Sequence, residues 1–409
     1  MRVQPREDEV IEEVTSPLRA VLVVLGVIAI GLWLNAPLVV MIVALVFMIT
    51  MHELGHYLTA KWAGMKVTQF FIGFGPRIWS IQRGETEYGI RAIPAGAFVT
   101  IIGMSNLEEI DSADEDRTYR AKSYWRRMSV AVAGSTMHFL MAFVLIFIVF
   151  AGFGVQDDSR WHIGSISEQS AALDAGLQPG DRVLAVDGQQ FADFVAMSEY
   201  IRERPGDTIE LDIVRGGDTI QVDAELAATN PEGDEVGFLG IGPAYPYERV
   251  APWTAIPESG KEFWTVAKGS VAGLAHIFSP DGIEGYVDTI ANPSDENGNA
   301  IITEDRPTSV VGIAQIGSQI AENGFVNVLY LMFGVNVFIG IFNLLPMLPF
   351  DGGHVVIATY ERIREWRSGR RYQADVTKLL PFTYVVVLVL AMLFVTSLYL
   401  DIAHPVSVN

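Results

Sequence analysis

Five long apolar runs constrain this chain more than any other feature. They lie at roughly 18–34, 37–60, 128–153, 326–348 and 379–400, and each approaches the ~20 residues an α-helix needs to cross a bilayer. Only 19% of the 409 residues are charged, below the ~25% usual in soluble proteins. The runs therefore predict a multi-pass α-helical membrane protein of about five spans. Asn35-Ala36-Pro37 parts the first two, and proline disfavours helix at the residue before it, so 18–62 is expected to be a two-span helical hairpin. A cleaved signal peptide is the other reading of the first 34 residues, but its start should be basic, and here EDEVIEE is acidic.

Sidedness follows from Lys and Arg in the short loops. Lys61, Lys66, Arg77, Arg83, Arg91, Lys122, Arg126 and Arg127 lie between spans two and three, and Arg362, Arg364, Arg367, Arg370, Arg371 and Lys378 between spans four and five. Those loops are expected in the cytoplasm, together with the N-terminus. Residues 154–250 carry 19 acidic and 6 basic side chains, which places them outside the cell membrane. The whole chain, with 28 Lys and Arg against 48 Asp and Glu, has a formal charge of −20; that argues against a nucleic-acid partner, which needs a basic face. The expected segments are a tail at 1–17, the hairpin at 18–62, a β region with a loop at 63–127, a third span at 128–153, a folded insert at 154–250, an amphipathic helix and mobile loop at 251–325, a fourth span at 326–358, a basic loop at 359–378, and a fifth span with its tail at 379–409.

The second run reads FMITMHELGHYLTAKW and sets His52, Glu53 and His56 in the pattern H-E-x-x-H. Residues four apart share a helix face, so both imidazoles can reach one ion while Glu53 holds and deprotonates a water. Without a single cysteine in the chain, any metal must use His, Asp or Glu, and Zn2+ suits that donor set. Two histidines satisfied by hydrogen bonds inside a bundle are the plainer alternative. Three ionisable side chains in or beside an apolar span are expensive, however, and a metal offsets that expense. A third ligand is still needed. The fourth run ends NLLPMLPFDGGH, where Pro346 and Pro349 break the helix and Gly352 and Gly353 allow close backbone approach, so Asp351 is the expected ligand rather than a mere turn aspartate. His354 is a weaker candidate, aimed elsewhere by the D-G-G turn.

These residues resemble the site-2 proteases, intramembrane zinc metalloproteases, in particular the bacterial regulator-of-sigma-E type and its actinobacterial relatives. The resemblance runs from about residue 38 onward and rests on HELGH at 52–56, FIGFGP at 71–76, IPAGAFV at 93–99 with Gly103-Met104, RPTSVVGI at 306–313 and NLLPMLPFDGG at 343–353. It implies that His52, His56 and Asp351 bind zinc, that Glu53 is the general base, and that Asn343 contacts or supports substrate. It further implies a membrane-dipping β-hairpin over 67–103, whose Gly73, Gly75 and Gly96 face the substrate. The alternating, glycine-punctuated sequence of that stretch independently predicts β-structure. An open strand edge there would hold a scissile peptide extended.

The expected activity is that of a zinc metalloendopeptidase cutting membrane-spanning segments of single-span substrates, such as anti-sigma factors or remnant signal peptides, in regulated intramembrane proteolysis. A non-catalytic scaffold with a structural metal and an ion transporter are the rivals; neither explains a glutamate directly after the first histidine. One departure stands out. Where relatives carry Gly-Pro and a later Asn, this chain has Gly134-Ser135-Thr136-Met137-His138, with His138 either a polar contact near the cleft or a packed polar residue.

The insert resembles a bacterial PDZ domain, an α+β fold expected over 160–245. A short helix runs from Ala171 to Gly176, a tight turn falls at Asp187-Gly188, a helical stripe spans Phe191 to Ile201, and a hairpin turns at Arg215-Gly216-Gly217-Asp218. GFLGIG at 237–242 resembles a carboxylate-binding loop. Such a domain either captures a newly exposed C-terminus or acts as a steric gate.

Overall fold

In the computed structural model, residues 17–104, 110–156, 160–167, 170–230, 234–294, 306–322 and 324–406 are described. They form two compact units, Phe147–Glu258 and the remainder.

The larger unit opens with α1 (Pro17–Trp62), one unbroken 46-residue helix with Pro37 inside it. The expected hairpin is not formed. Proline removes one hydrogen bond and kinks a helix without having to reverse it, and Asn35-Ala36 offers no glycine on which to turn. A helix of this length runs about 69 Å, more than twice a ~30 Å hydrocarbon core, and its two apolar runs share one continuous helix. Among the described residues four helical stretches are long and apolar enough to cross a membrane, Pro37–Trp62, Ala133–Gly152, Phe325–Asn343 and Val376–Ala403.

After α1 the chain forms β1 (Val67–Arg83) and β2 (Thr86–Ile101), the expected hairpin. Its register folds back on itself, so that Phe71 lies between Phe98 and Gly89 and is fully buried. Glu85 at the tip accepts from Lys61 at 2.6 Å and pairs with Arg117 at 2.7 Å, tying the hairpin to the end of α1. The hydrogen bond from Arg117, reinforced by Lys61, holds the Glu85 carboxyl down at about 2. The third apolar run is split at Val132 into α2 (Tyr124–Ala131) and α3 (Ala133–Gly152).

The smaller unit runs β3 (Val155–Gln156), β4 (His162–Ile166), α4 (Ala171–Asp174), β5 (Arg182–Val186), α5 (Phe194–Arg202), β6 (Thr208–Arg215), β7 (Asp218–Glu225), β8 (Ile241–Ala244) and β9 (Tyr247–Glu248), of which α4 to β7 were expected and the strands on either side were not. β5, β6 and β7 form an antiparallel sheet in that order, and β4 pairs with β8. Asp193 caps α5 by accepting from Ala196 N. Positive φ at Asp187 and Gly188, and at Gly216 and Gly217, makes both predicted turns. Ile163, Val186, Met197, Ile209, Leu211 and Ile213 fill its core. Arg215 grips the buried Asp181 with two hydrogen bonds of 2.6 and 2.7 Å.

Back in the larger unit follow α6 (Pro252–Ile277), α7 (Pro280–Ala291), α8 (Val310–Glu322), α9 (Phe325–Asn343), α10 (Asp351–Ser368) and α11 (Leu380–Ala403). The expected loop from 281 onward is helical as far as Ala291. Ser279 caps α7 by accepting from Gly282 N, Pro280 suits its first turn, and Ile283, Val287 and Ile290 make an apolar stripe; residues 295–305 lie outside the described residues. The basic segment expected as a loop from 359 is likewise helical to Ser368, closed by Gly369 at φ +65°. α8, which carries the end of RPTSVVGI, packs with α9 on α1 through Met41, Leu45, Met48, Ala314, Val328 and Met332. Arg306, just before it, is buried beside Asp401 of α11 and donates to the carbonyls of Leu400 and His404, while Asp401 accepts from Ser309 N at 2.7 Å.

Candidate metal centre

His52 and His56 lie one helical turn apart on α1, buried, with their Nε2 atoms 3.2 Å from each other. Asp351, the first residue of α10, sends Oδ2 to 3.1 Å from His56 Nε2 and 3.4 Å from His52 Nε2. A tetrahedral zinc with bonds of about 2.0–2.1 Å sets its ligand atoms roughly 3.3 Å apart. The three edges of this triangle fit that ion, leaving one position for chemistry. His56 Nδ1 lies 2.8 Å from Val130 O and donates to it, which fixes the tautomer with the Nε2 lone pair facing the centre.

Each half of the centre depends on glycine. A Cβ on Gly134 of α3 would stand 2.3–2.5 Å from His52 Cε1, His52 Nε2 and His56 Nε2. One on Gly55 would meet Met137 Cγ at 2.6 Å and Ala133 O at 2.8 Å. The two glycines let α3 cross α1 directly over the ligand nitrogens. Similarly, a Cβ on Gly352 would meet Leu344 O at 2.2 Å and one on Gly353 would meet Leu348 N at 2.7 Å. That is the close approach expected of the D-G-G turn, and it folds α10 back against the end of α9.

Glu53 follows His52 on α1 and meets the backbone amide of Val99 on β2. The hairpin thus touches the candidate base directly. Gly73, Gly75 and Gly96 have φ of +88°, +79° and +145°, and a Cβ on Gly73 would strike the carbonyls of Arg91 and Ile93; backbone shape requires these glycines whether or not they also face substrate. Asn343 is the half-buried last residue of α9. His354 stands apart from the triad, edge-on to Tyr119.

His138 is fully buried, its ring centroid 5.1 Å from that of His52. Its Nδ1 donates to Asn336 Oδ1 at 2.9 Å, while Asn336 Nδ2 donates to Met332 O. Sequence reasoning did not single out Asn336, although an amide in the middle of an apolar run was a signal. Gly55 and Gly134 gave none, because their partners are remote in sequence.

The family model for peptidase family M50 matches residues 40–391. Zinc metalloprotease Rip1 of Mycolicibacterium smegmatis is 32% identical over 91% of this chain and 98% of its own. Metalloprotease MmpA of Caulobacter vibrioides is 28% identical over 82% and 90%. Among solved structures, the PDZ domain of an SdrC-like protein from Listeria monocytogenes is 27% identical over 22% of this chain and 92% of that one, with a TM-score of 0.19. A triad with zinc-sized spacing, a glutamate beside it and a family match over most of the sequence lead to one conclusion: the chain belongs to peptidase family M50.

Proposed function

We propose that this protein is an intramembrane zinc endopeptidase that hydrolyses a peptide bond within, or at the cytoplasmic edge of, a membrane-spanning segment. The observation that carries this reading is the meeting of Asp351 with His52 and His56 across 295 residues of sequence. Zinc held there supplies polarisation of the scissile carbonyl and a water made nucleophilic near neutral pH. Glu53 positions that water, takes its proton and delivers it to the leaving amine. His56 keeps its ring oriented through Val130. The β1–β2 hairpin, in contact with Glu53 through Val99, holds the substrate extended by main-chain hydrogen bonds, with Asn343 beside it.

The basic loops lie in the cytoplasm and the PDZ-like unit outside, in the cell membrane. Substrates are single-span proteins already shortened outside, such as anti-sigma factors or remnant signal peptides. A steric gate is the better reading of the PDZ-like unit. In the candidate carboxylate loop, Gly237 N already donates to Arg202 O and Phe238 N to Ala227 O, which withdraws two amides from any peptide carboxylate.

The test is cleavage of a model single-span substrate by purified protein and its Glu53→Gln variant, with zinc content measured on both. Glu53→Gln should retain zinc and lose about 10²–10⁴-fold in rate. Cleavage by that variant at the parental rate would overturn the assigned base. A wild-type protein that carries zinc yet never cleaves would favour the scaffold.

A further inference from the structure

A cavity of about 540 Å³ opens where the end of α10 and the following loop meet the start of α2, within the ~300–1,000 Å³ typical of ligand sites. Six basic side chains line it against two carboxylates. Both carboxylates are engaged by the protein itself. Glu361 pairs with buried Arg127 and accepts from Ala374 N at 2.6 Å, and Glu365 accepts from Tyr372 N at 3.3 Å. Arg120 is paired with Glu115 at 2.6 Å. That leaves Lys122 and Arg371, whose donors reach only backbone carbonyls, and Arg362 and Arg370, which have no carboxylate partner among the described residues. With Arg127 set against Glu361, Arg120 against Glu115, and one of the remaining four basic groups against the charge that Glu365 still carries, a surplus of three positive charges surrounds an open space, and arginine forks are suited to phosphate oxygens.

The place of the cavity, at the end of α10 far from the metal centre, and its aromatic rim point to the source of the phosphate. α10 begins at Asp351 in the metal centre and rises 18 residues to Ser368, carrying its end about 26 Å along the helix axis. That exceeds the ~15 Å half-thickness of a hydrocarbon core. Trp366 of the cavity wall and nearby Trp125 are 80% and 75% exposed, as aromatic residues at headgroup level are. We propose that this cavity binds a phosphate group presented as the headgroup of an anionic phospholipid on the cytoplasmic side. The proposal rests on the membrane reading of the chain and is independent of its proteolytic activity.

The test is native mass spectrometry of the full-length protein in mixed micelles containing phosphatidylglycerol or phosphatidylcholine. Parental protein should retain phosphatidylglycerol selectively, and Arg362→Gln with Arg370→Gln should weaken retention about 25-fold, since each basic group near a membrane surface contributes roughly five-fold. An Arg126→Gln, Arg367→Gln control removes equal charge from exposed positions off the cavity and should retain the lipid as before. Failure of millimolar inorganic phosphate to displace the lipid supports a headgroup source. Phosphate binding in lipid-free detergent, lost in the cavity variant, supports the site and assigns it a soluble anion. Equal retention of both lipids without phosphate binding, or equal loss in the control and cavity variants, overturns the proposal.

Discussion

Replacing Gly134 by alanine adds one methyl group, and its position decides the outcome. The new Cβ would lie 2.3 Å from His52 Cε1 and 2.5 Å from both ligand nitrogens, against an ordinary carbon contact of about 3.5–4.0 Å. Relief requires a relative shift on the order of 1 Å between α3 and the imidazoles, whereas zinc ligands tolerate about 0.2 Å. Even changes outside the ligand shell weaken metal binding 10–100-fold, so a displacement of the ligands themselves should weaken zinc at least about 100-fold. Gly152 on the same helix has open space around its Cβ position and serves as the matched control. The assay is zinc competition with a chelator, supported by the cobalt(II) absorption of substituted protein, on Gly134→Ala and Gly152→Ala side by side. Parental zinc affinity in Gly134→Ala would refute the argument that α3 lies directly over the ligand atoms.

Asp351→Ala removes one of three candidate ligands and should lower bound zinc to background in elemental analysis while far-UV circular dichroism stays unchanged; full zinc retention would mean that the third ligand lies elsewhere. In the smaller unit, the two hydrogen bonds from Arg215 hold the Asp181 carboxyl below its ordinary value. A lowered folded value means stability that is present above the unfolded pKa of about 3.9 and is lost as pH falls through the folded one. Protection factors of the β5 and β6 amides, the intrinsic exchange rate divided by the observed rate at each pH, should therefore fall below about pH 4, and Asp181→Asn should remove that dependence and lower stability by about 1.5–3 kcal/mol. His138→Leu strands Asn336 Oδ1 in the bundle and should reduce stability by about 1–3 kcal/mol in urea titration. His138→Asn, which restores a donor, should recover most of it; equal losses in both would deny the hydrogen bond any part.

The meeting of the three candidate ligands was largely legible because helical period is a local property: His52 and His56 had to share a face once α1 was helical, and Asp351 sat at a proline–glycine break where a carboxylate could turn inward. The hairpin and the middle of the smaller unit were legible for the same reason, since turns such as Asp187-Gly188 and Gly216-Gly217 announce their own geometry. Pro37 was ambiguous in principle, because the same missing amide ends one helix and merely bends another, and packing partners decide between them. α7 escaped notice because its apolar stripe, Ile283 to Ile290, is only eight residues long and is flanked by polar residues. Arg306 and Asp401 could not be paired from sequence at all, being 95 positions apart with nothing periodic to connect them. Gly55 and Gly134 show the same limit, since their need for a missing methyl comes from another helix.

The last crossing has a practical bearing on how this protein is handled. The apolar window of the Val376–Ala403 stretch buries none of itself against the rest of the chain; Tyr384, Leu388 and Val395 are 68%, 70% and 62% exposed, and only Ser397, Leu400 and Asp401 near its far end are buried. A surface this apolar and this open is suited to lipid tails, so extraction would leave it without neighbours while the clasp of Arg306 and Asp401 still pins its end. A short-chain detergent should let the middle of the rod bow outward first, and a lipid disc rather than a micelle is the medium in which its native position can be observed.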